Sequence, residues 1–127
     1  MSAATRQQTE SLIFGSGFDS FRWWGACTPM FEYDRDALAP DDWTWEIYYD
    51  HHEEDPDHAP QRRALTTHED VMRALQAIAD GKVRYATGNL VQECRKALEA
   101  GETAHFEPDD ADSVMQVVVM GGIYYTD

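Results

Sequence analysis

Every second residue from Trp43 to Tyr49 is large and apolar. Trp43, Trp45, Ile47 and Tyr49 fall on one side of an extended chain, and Thr44, Glu46, Tyr48 and Asp50 fall on the other. Side chains of a strand point to alternate faces, so a period of two marks a strand with one buried face. Aromatic rings carry the largest apolar areas of any side chain, and a row of them requires a cover. The chain must therefore build a sheet with an aromatic inner face and pack something against it.

The rest of the first half supplies partners for that strand. Ser20–Ala26 also alternates, with Phe21 and Trp23 on one side and Arg22 and Trp24 on the other, and is expected to be a strand. Met30–Asp34 is a candidate for a second, short strand. Ala39-Pro40-Asp41-Asp42 reads as a turn, and the polar, proline-broken stretch 52–61 reads as a flexible acidic loop. Residues 8–18 suit a short helix with Leu12 and Ile13 inward, weakened by Gly15 and Gly17. Residues 1–7 are polar and expected to be disordered.

The second half reads helical. Thr66 and Thr67, followed by Glu69 and Asp70, form a capping-box signature. Val71, Leu75 and Ile78 recur at helical spacing up to a stop at Gly81. A second helix runs from about Asn89 to Ala100, with Leu90, Val91, Cys94, Ala97 and Leu98 inward. In residues 109–120 the two signals conflict: Asp109 and Asp110 suit a helix start, whereas Val117, Val118 and Val119 favour a strand. We read a helix to Met120, a break at Gly121-Gly122 and a closing strand over Ile123–Thr126. The expected fold is one α+β domain over residues 1–127. Its small antiparallel, aromatic-rich sheet of three to four strands is covered on one face by three or four helices.

Charge sets the second constraint. Lys and Arg number 10 against 24 Asp and Glu, a formal charge of −14. The excess is local: eleven acids lie between Glu32 and Asp57 against Arg35 alone, and residues 107–127 add five acids and no base. Such a balance argues against direct contact with nucleic acid or an anionic membrane. No apolar run approaches the length of a membrane span, and the first ten residues hold no apolar core of a secretion signal. The two cysteines, Cys27 and Cys94, are far apart and in no metal or disulfide pattern, which points to reduced core residues in a cytoplasmic protein. A catalytic thiol is the alternative reading.

Four segments, ESLIFGSGFDSFRWWG, DDWTWEIYYD, TTHEDVMRAL and DADSVMQVVVMGGIYY, together resemble a group of small acidic proteins of bacteriophages and bacterial mobile elements that have no characterised activity. The group's usual closing pattern has Phe-Gly before an acid and ends in Tyr-Gly; here Met120-Gly121-Gly122 and Tyr124-Tyr125 stand instead. The resemblance implies a phage-like origin, no assigned enzyme activity and, by analogy, a host-takeover or anti-defence role, such as inhibition of a restriction or CRISPR-type protein.

Three constellations carry chemistry. The first is the acidic set Glu46, Asp50, Glu53, Glu54, Asp55 and Asp57, with Tyr48 as an apolar anchor and Asp109, Asp110 and Asp112 as a second block. A carboxylate-rich strand rises about 3.4 Å per residue, the spacing of phosphates along one DNA strand, so a groove built for phosphates would attract it. The bland readings are a solvated loop for the first block and a helix cap for the second. The second constellation is His51, His52, Asp57 and His58, types that ligate transition metals, although no spacing motif anchors them and neighbouring strand residues face apart. The third is the aromatic set, in which Tyr48 and Trp24 fall opposite the core row and suit either an interface or a second buried layer. No phosphate-binding, nucleophile-elbow or zinc-helix motif occurs.

The leading expectation is a non-enzymatic acidic protein without cofactor. It would bind the basic surface of a host nucleic-acid-binding protein by imitating the charge of nucleic acid. A metal-binding protein or metal-dependent enzyme built on the 50–58 segment is the first alternative. A phage structural or assembly protein is the second, and a homodimer is compatible with all three.

Overall fold

The computed structural model describes residues 2–34, 36–55, 57 and 59–126. Its elements, in chain order, are α1 (Arg6–Phe14), β1 (Trp24–Pro29), β2 (Trp45–Tyr49), β3 (Arg62–Thr66), α2 (His68–Ala79), α3 (Gly88–Glu99) and α4 (Pro108–Met120), with short 3-10 turns at Phe18–Ser20 and Gly101–Thr103. The three strands form an antiparallel meander in the order β1-β2-β3. This is the expected α+β class.

The aromatic row of β2 fixes the layering. Trp45, Ile47 and Tyr49 are buried, Glu46 and Tyr48 face outward, and Trp43 is buried just before the strand. Every tryptophan indole N–H then finds an acceptor on a helix, as buried indoles require. Trp43 donates to the Arg6 carbonyl at 2.6 Å, and Trp45 donates to the Glu10 carboxylate at 3.2 Å, both on α1. Trp23 and Trp24 donate to Asp112 on α4. Phe14 of α1 stacks on Trp45 at 4.4 Å between ring centroids. Helices α1 and α4 thus seat on the inner face, α2 packs against α1, α3 and α4, and on the opposite face Arg63 and Leu65 are exposed and Glu46 and Tyr48 half-buried.

Local chemistry explains the helix bounds. Thr5 and Thr67 accept from the third helical N–H of α1 and α2, and the side chains of Gln8 and Asp70 return the bond. Gly121 ends α4 at φ 77°, a left-handed position that glycine takes without strain.

Several expectations change. Ser20–Ala26 was expected as a strand, but the chain turns at Phe18–Ser20, β1 starts only at Trp24, and its register to β2 shifts between Trp24 and Cys27. Both Trp23 and Trp24 therefore point inward instead of alternating. Met30–Asp34 forms no strand, because after Met30 donates to the Thr44 carbonyl the backbone leaves the sheet. The third strand is Arg62–Thr66, an edge strand whose two arginines hid its alternation. The closing segment 123–126 is not a strand. The Gln116 side-chain amide stands in for a partner strand: its Oε1 accepts from the Tyr124 and Tyr125 N–H groups, both at 2.8 Å, and its Nε2 donates to the Tyr125 carbonyl at 2.9 Å.

Residues 2–7, expected to be disordered, also belong to the fold. The Ala4 N–H donates to the Ala97 carbonyl, and the Ser2 carbonyl accepts from Gly101. A side chain at Gly101 would collide with the Ala4 backbone.

Gln116 is fully buried and holds three backbone groups of the closing segment. Gln116→Ala should cost at least about 2 kcal/mol in urea unfolding, because buried polar groups lose their partners. Gln76→Ala, on the exposed side of α2, should stay within about 0.5 kcal/mol.

Candidate functional site

The acids of residues 32–57 are divided by the sheet. Glu32, Asp34, Asp36, Asp41 and Asp42 lie in the β1–β2 connection, and Asp50, Glu53, Glu54, Asp55 and Asp57 lie in the β2–β3 connection. Successive connections of an antiparallel meander sit at opposite ends of the strands, here separated by roughly 15 Å of β2. The block that looks continuous in sequence is therefore two groups in space.

Strand β3 neutralises part of it. Arg63 pairs with Glu46, and Arg62 reaches Glu54 through Nε at 2.9 Å and Nη2 at 2.7 Å. Hydrogen bonds to these carboxylates hold both guanidinium groups above their ordinary pKa. Tyr48 stands opposite Arg63 on the outward face. Asp50 is half-buried, whereas Glu53, Asp55 and Asp57 are exposed.

The second block mostly points inward. Asp109 is exposed, but Asp110 and Asp112 are buried, so neither offers a carboxylate to a flat partner surface. Glu107 and Asp110 cap α4 reciprocally, as helix starts do. The Asp112 Oδ1 accepts from both Trp23 and Trp24 at 2.6 Å, and its Oδ2 accepts from Gln116 at 3.0 Å. Burial pushes the Asp112 pKa up, against the pull of those three donors, and burial likewise raises that of Asp110.

One chain of contacts links the second block to the β2–β3 end of the sheet. The Asp50 N–H donates to the Trp23 carbonyl at 2.9 Å, and the Tyr125 hydroxyl donates to the Asp50 carbonyl at 2.9 Å. Tyr125 stacks on Trp23 at 5.2 Å. Asp50 and Asp112 thus both bond Trp23, one at its carbonyl and the other at its indole, and Asp109 lies on the same recess as Tyr125.

The histidines are engaged in stacking. His51 is buried and its Nδ1 accepts from the Glu53 N–H at 3.1 Å. His52 lies against His51 at 4.4 Å and against Tyr124 at 3.5 Å, its ring parallel to the tyrosine within 1°. His58 lies outside the described residues. Among the described residues no group of three His, Cys, Asp or Glu side chains is placed to hold a metal ion. Cys27 and Cys94 have their thiols pushed up to about 12 by burial, which leaves neither as a thiolate near neutrality.

A recess of about 600 Å³ runs beside α1 with Leu12, Leu38 and Phe106 on its wall, and none of the candidate acids, histidines or Tyr48 lines it. Sequence reasoning missed Arg62 and Arg63 as neutralising groups and gave Gln116, Tyr124 and Tyr125 no part in a site. The Arg-Arg pair directly after the acidic loop was the available signal. Among the described residues no helix is long and apolar enough to cross a membrane. No known protein family, curated protein or solved structure matches the chain.

Three N–H donors converge on Asp112, so only an acceptor on both oxygens satisfies them. Asp112→Asn must turn its own NH₂ toward one donor and should cost about 1–3 kcal/mol in chemical unfolding. The folded pKa of Asp112 lies above its unfolded value, so ionisation penalises the folded state at neutral pH and the penalty fades as pH falls through the folded value. The stability advantage of wild type over Asp112→Asn should therefore widen from about pH 7 to about pH 4. A constant difference across that range would mean an unshifted carboxyl.

Proposed function

We propose that the chain is a non-enzymatic binding protein that presents carboxylates to a cationic protein, the natural class being one that otherwise holds nucleic acid. The observation that carries this reading is how the bases are placed. Arg6, Arg62, Arg63, Arg73 and Lys96 are each paired with an acid of the same chain, namely Glu69, Glu54, Glu46, Asp70 and Glu93. Asp and Glu outnumber Lys and Arg by 24 to 10, a formal charge of −14. At the β2–β3 end, Glu53, Asp55 and Asp57 are exposed within one short loop. A field of one sign speeds and orients the approach of an oppositely charged partner.

The binding face is narrower than the full acidic stretch. It takes in the exposed Glu53, Asp55 and Asp57 with the half-buried Asp50, and Asp109 on the neighbouring recess, while Glu46 and Glu54 are less exposed and lie against Arg63 and Arg62. Tyr48 sits beside Arg63 on the sheet's open face and is an anchor there only if the partner extends over β2. The phage-derived, anti-defence role is the finer form of this proposal, resting on the resemblance of the four sequence segments and on the charge.

The test is a pull-down from bacterial lysate at about 0.15 M salt, near one Debye length of 8 Å. Wild type should retain a nucleic-acid-binding protein that added duplex DNA displaces. The triple variant Glu53→Lys, Asp55→Lys, Asp57→Lys should lose it while its circular dichroism is unchanged. Retention by the folded triple variant, or a captured partner indifferent to DNA, would overturn the proposal.

A further inference from the structure

The recess of about 600 Å³ beside α1 is an open trough. Gln8, Ser11, Leu12 and Gly15, on one side of α1 and its cap, line it together with Phe106, and Leu38 of the β1–β2 connection stands on its border. We propose that this trough docks an amphipathic helix of a partner protein, one whose apolar stripe is flanked by Lys or Arg.

Exposed apolar surface marks the place. Leu38 is 78% exposed, more than any other large apolar side chain among the described residues. It also lines a second, smaller recess with Phe31 and Tyr33, and Tyr33 is exposed as well. An apolar strip therefore continues from Phe106 and Leu12 past Leu38 to Tyr33. A lone exposed leucine is ordinary, whereas a continuous apolar strip with a polar rim is the mark of an interaction surface.

The shape of the trough selects the occupant. Sites for small molecules enclose most of the ligand, and an open trough leaves one side in water. A helix that buries one stripe suits such a site. The lining comes from α1 and from loops, so no strand edge is offered to an extended peptide. Gln8, Ser11, Leu12 and Gly15 recur at helical spacing, and the small Ser11 and Gly15 allow a second helix axis to come close.

Charge selects the flanks. Glu102 lines the trough, and Glu32 and Asp34 line the smaller recess beyond Leu38; all three are exposed. Asp41 reaches the trough by accepting from Gln7 at 2.5 Å. No Lys or Arg occurs among the described residues of either lining. Arg6, next to Gln7, is paired with Glu69, and His105 meets Glu107 at 3.0 Å. Bases on the flanks of an incoming helix meet these acids, and acids there are repelled.

The experiment is a titration of the whole chain, followed by nuclear magnetic resonance at the backbone amides. The probe is a helical Leu/Lys peptide with its leucines on one stripe. A scrambled peptide of the same composition, a Leu/Glu peptide with the same stripe, and the neutral dye Nile red are the controls. The Leu/Lys peptide should shift the Ser11, Leu38 and Ala104 signals saturably and bind at least about tenfold tighter than the scrambled peptide. The Leu/Glu peptide should not bind. Leu38→Gln changes an exposed position, keeps the fold and should weaken binding about tenfold, whereas Glu53→Gln in the β2–β3 loop should leave it unchanged.

Equal binding of the scrambled peptide, shifts centred on residues 50–57, or an undiminished affinity in Leu38→Gln would overturn the inference. So would uptake of Nile red without the peptide, which assigns the trough to a small apolar molecule. Self-association of the chain that Leu38→Gln abolishes, seen by sedimentation, would overturn it in favour of a second copy. The pull-down reads the β2–β3 loop, at the other end of the sheet from Leu38, so each proposal fails separately.

Discussion

A single buried carboxylate organises this molecule. Asp112 gathers the indole N–H groups of Trp23 and Trp24 and the amide of Gln116, and Gln116 passes the connection on to the closing segment. The start of β1, the body of α4 and the C-terminal strap thereby meet at one side chain. Burying a charge is costly unless it is hydrogen-bonded, and these three donors are what makes the position tenable.

The distribution of charge follows from the same economy of partners. The paired bases sit in exposed or half-exposed ion pairs, where solvent screens much of the attraction. They do little for stability, and since each offsets one acid with one base they leave the formal charge of −14 unchanged. Self-repulsion of this kind works against compactness, and an aromatic core held by four indole hydrogen bonds offsets it.

Local signals in the sequence were enough for the elements whose pattern is self-contained. The alternation of Trp43 to Tyr49, the Thr67–Asp70 capping box and the Val71, Leu75, Ile78 stripe all reappear in place. The failures share a cause, which is that a distant group decided the outcome. Trp23 and Trp24 both turn inward because Asp112, far along the chain, accepts from both. Ile123–Thr126 resembles a strand, but its backbone is satisfied by Gln116 instead of a neighbour. Residues 62–65 were assigned to no element because an edge strand needs only one weakly apolar face, here Ala64 and Thr66. For the candidate site, the residue types were legible but their grouping was not: β2 splits the acids into two ends, and Asp110 and Asp112, which look like surface acids beside Asp109, lie inside.

The most direct test of the central claim follows the Asp112 carboxyl carbon and the Trp23 and Trp24 indole protons together through a pH titration by nuclear magnetic resonance. The account predicts a midpoint above the ordinary aspartate value, with both indole signals moving in step with the carboxyl and no other aspartate driving them. A midpoint at or below the ordinary value, or indole signals that ignore it, would contradict a buried carboxylate that holds both rings.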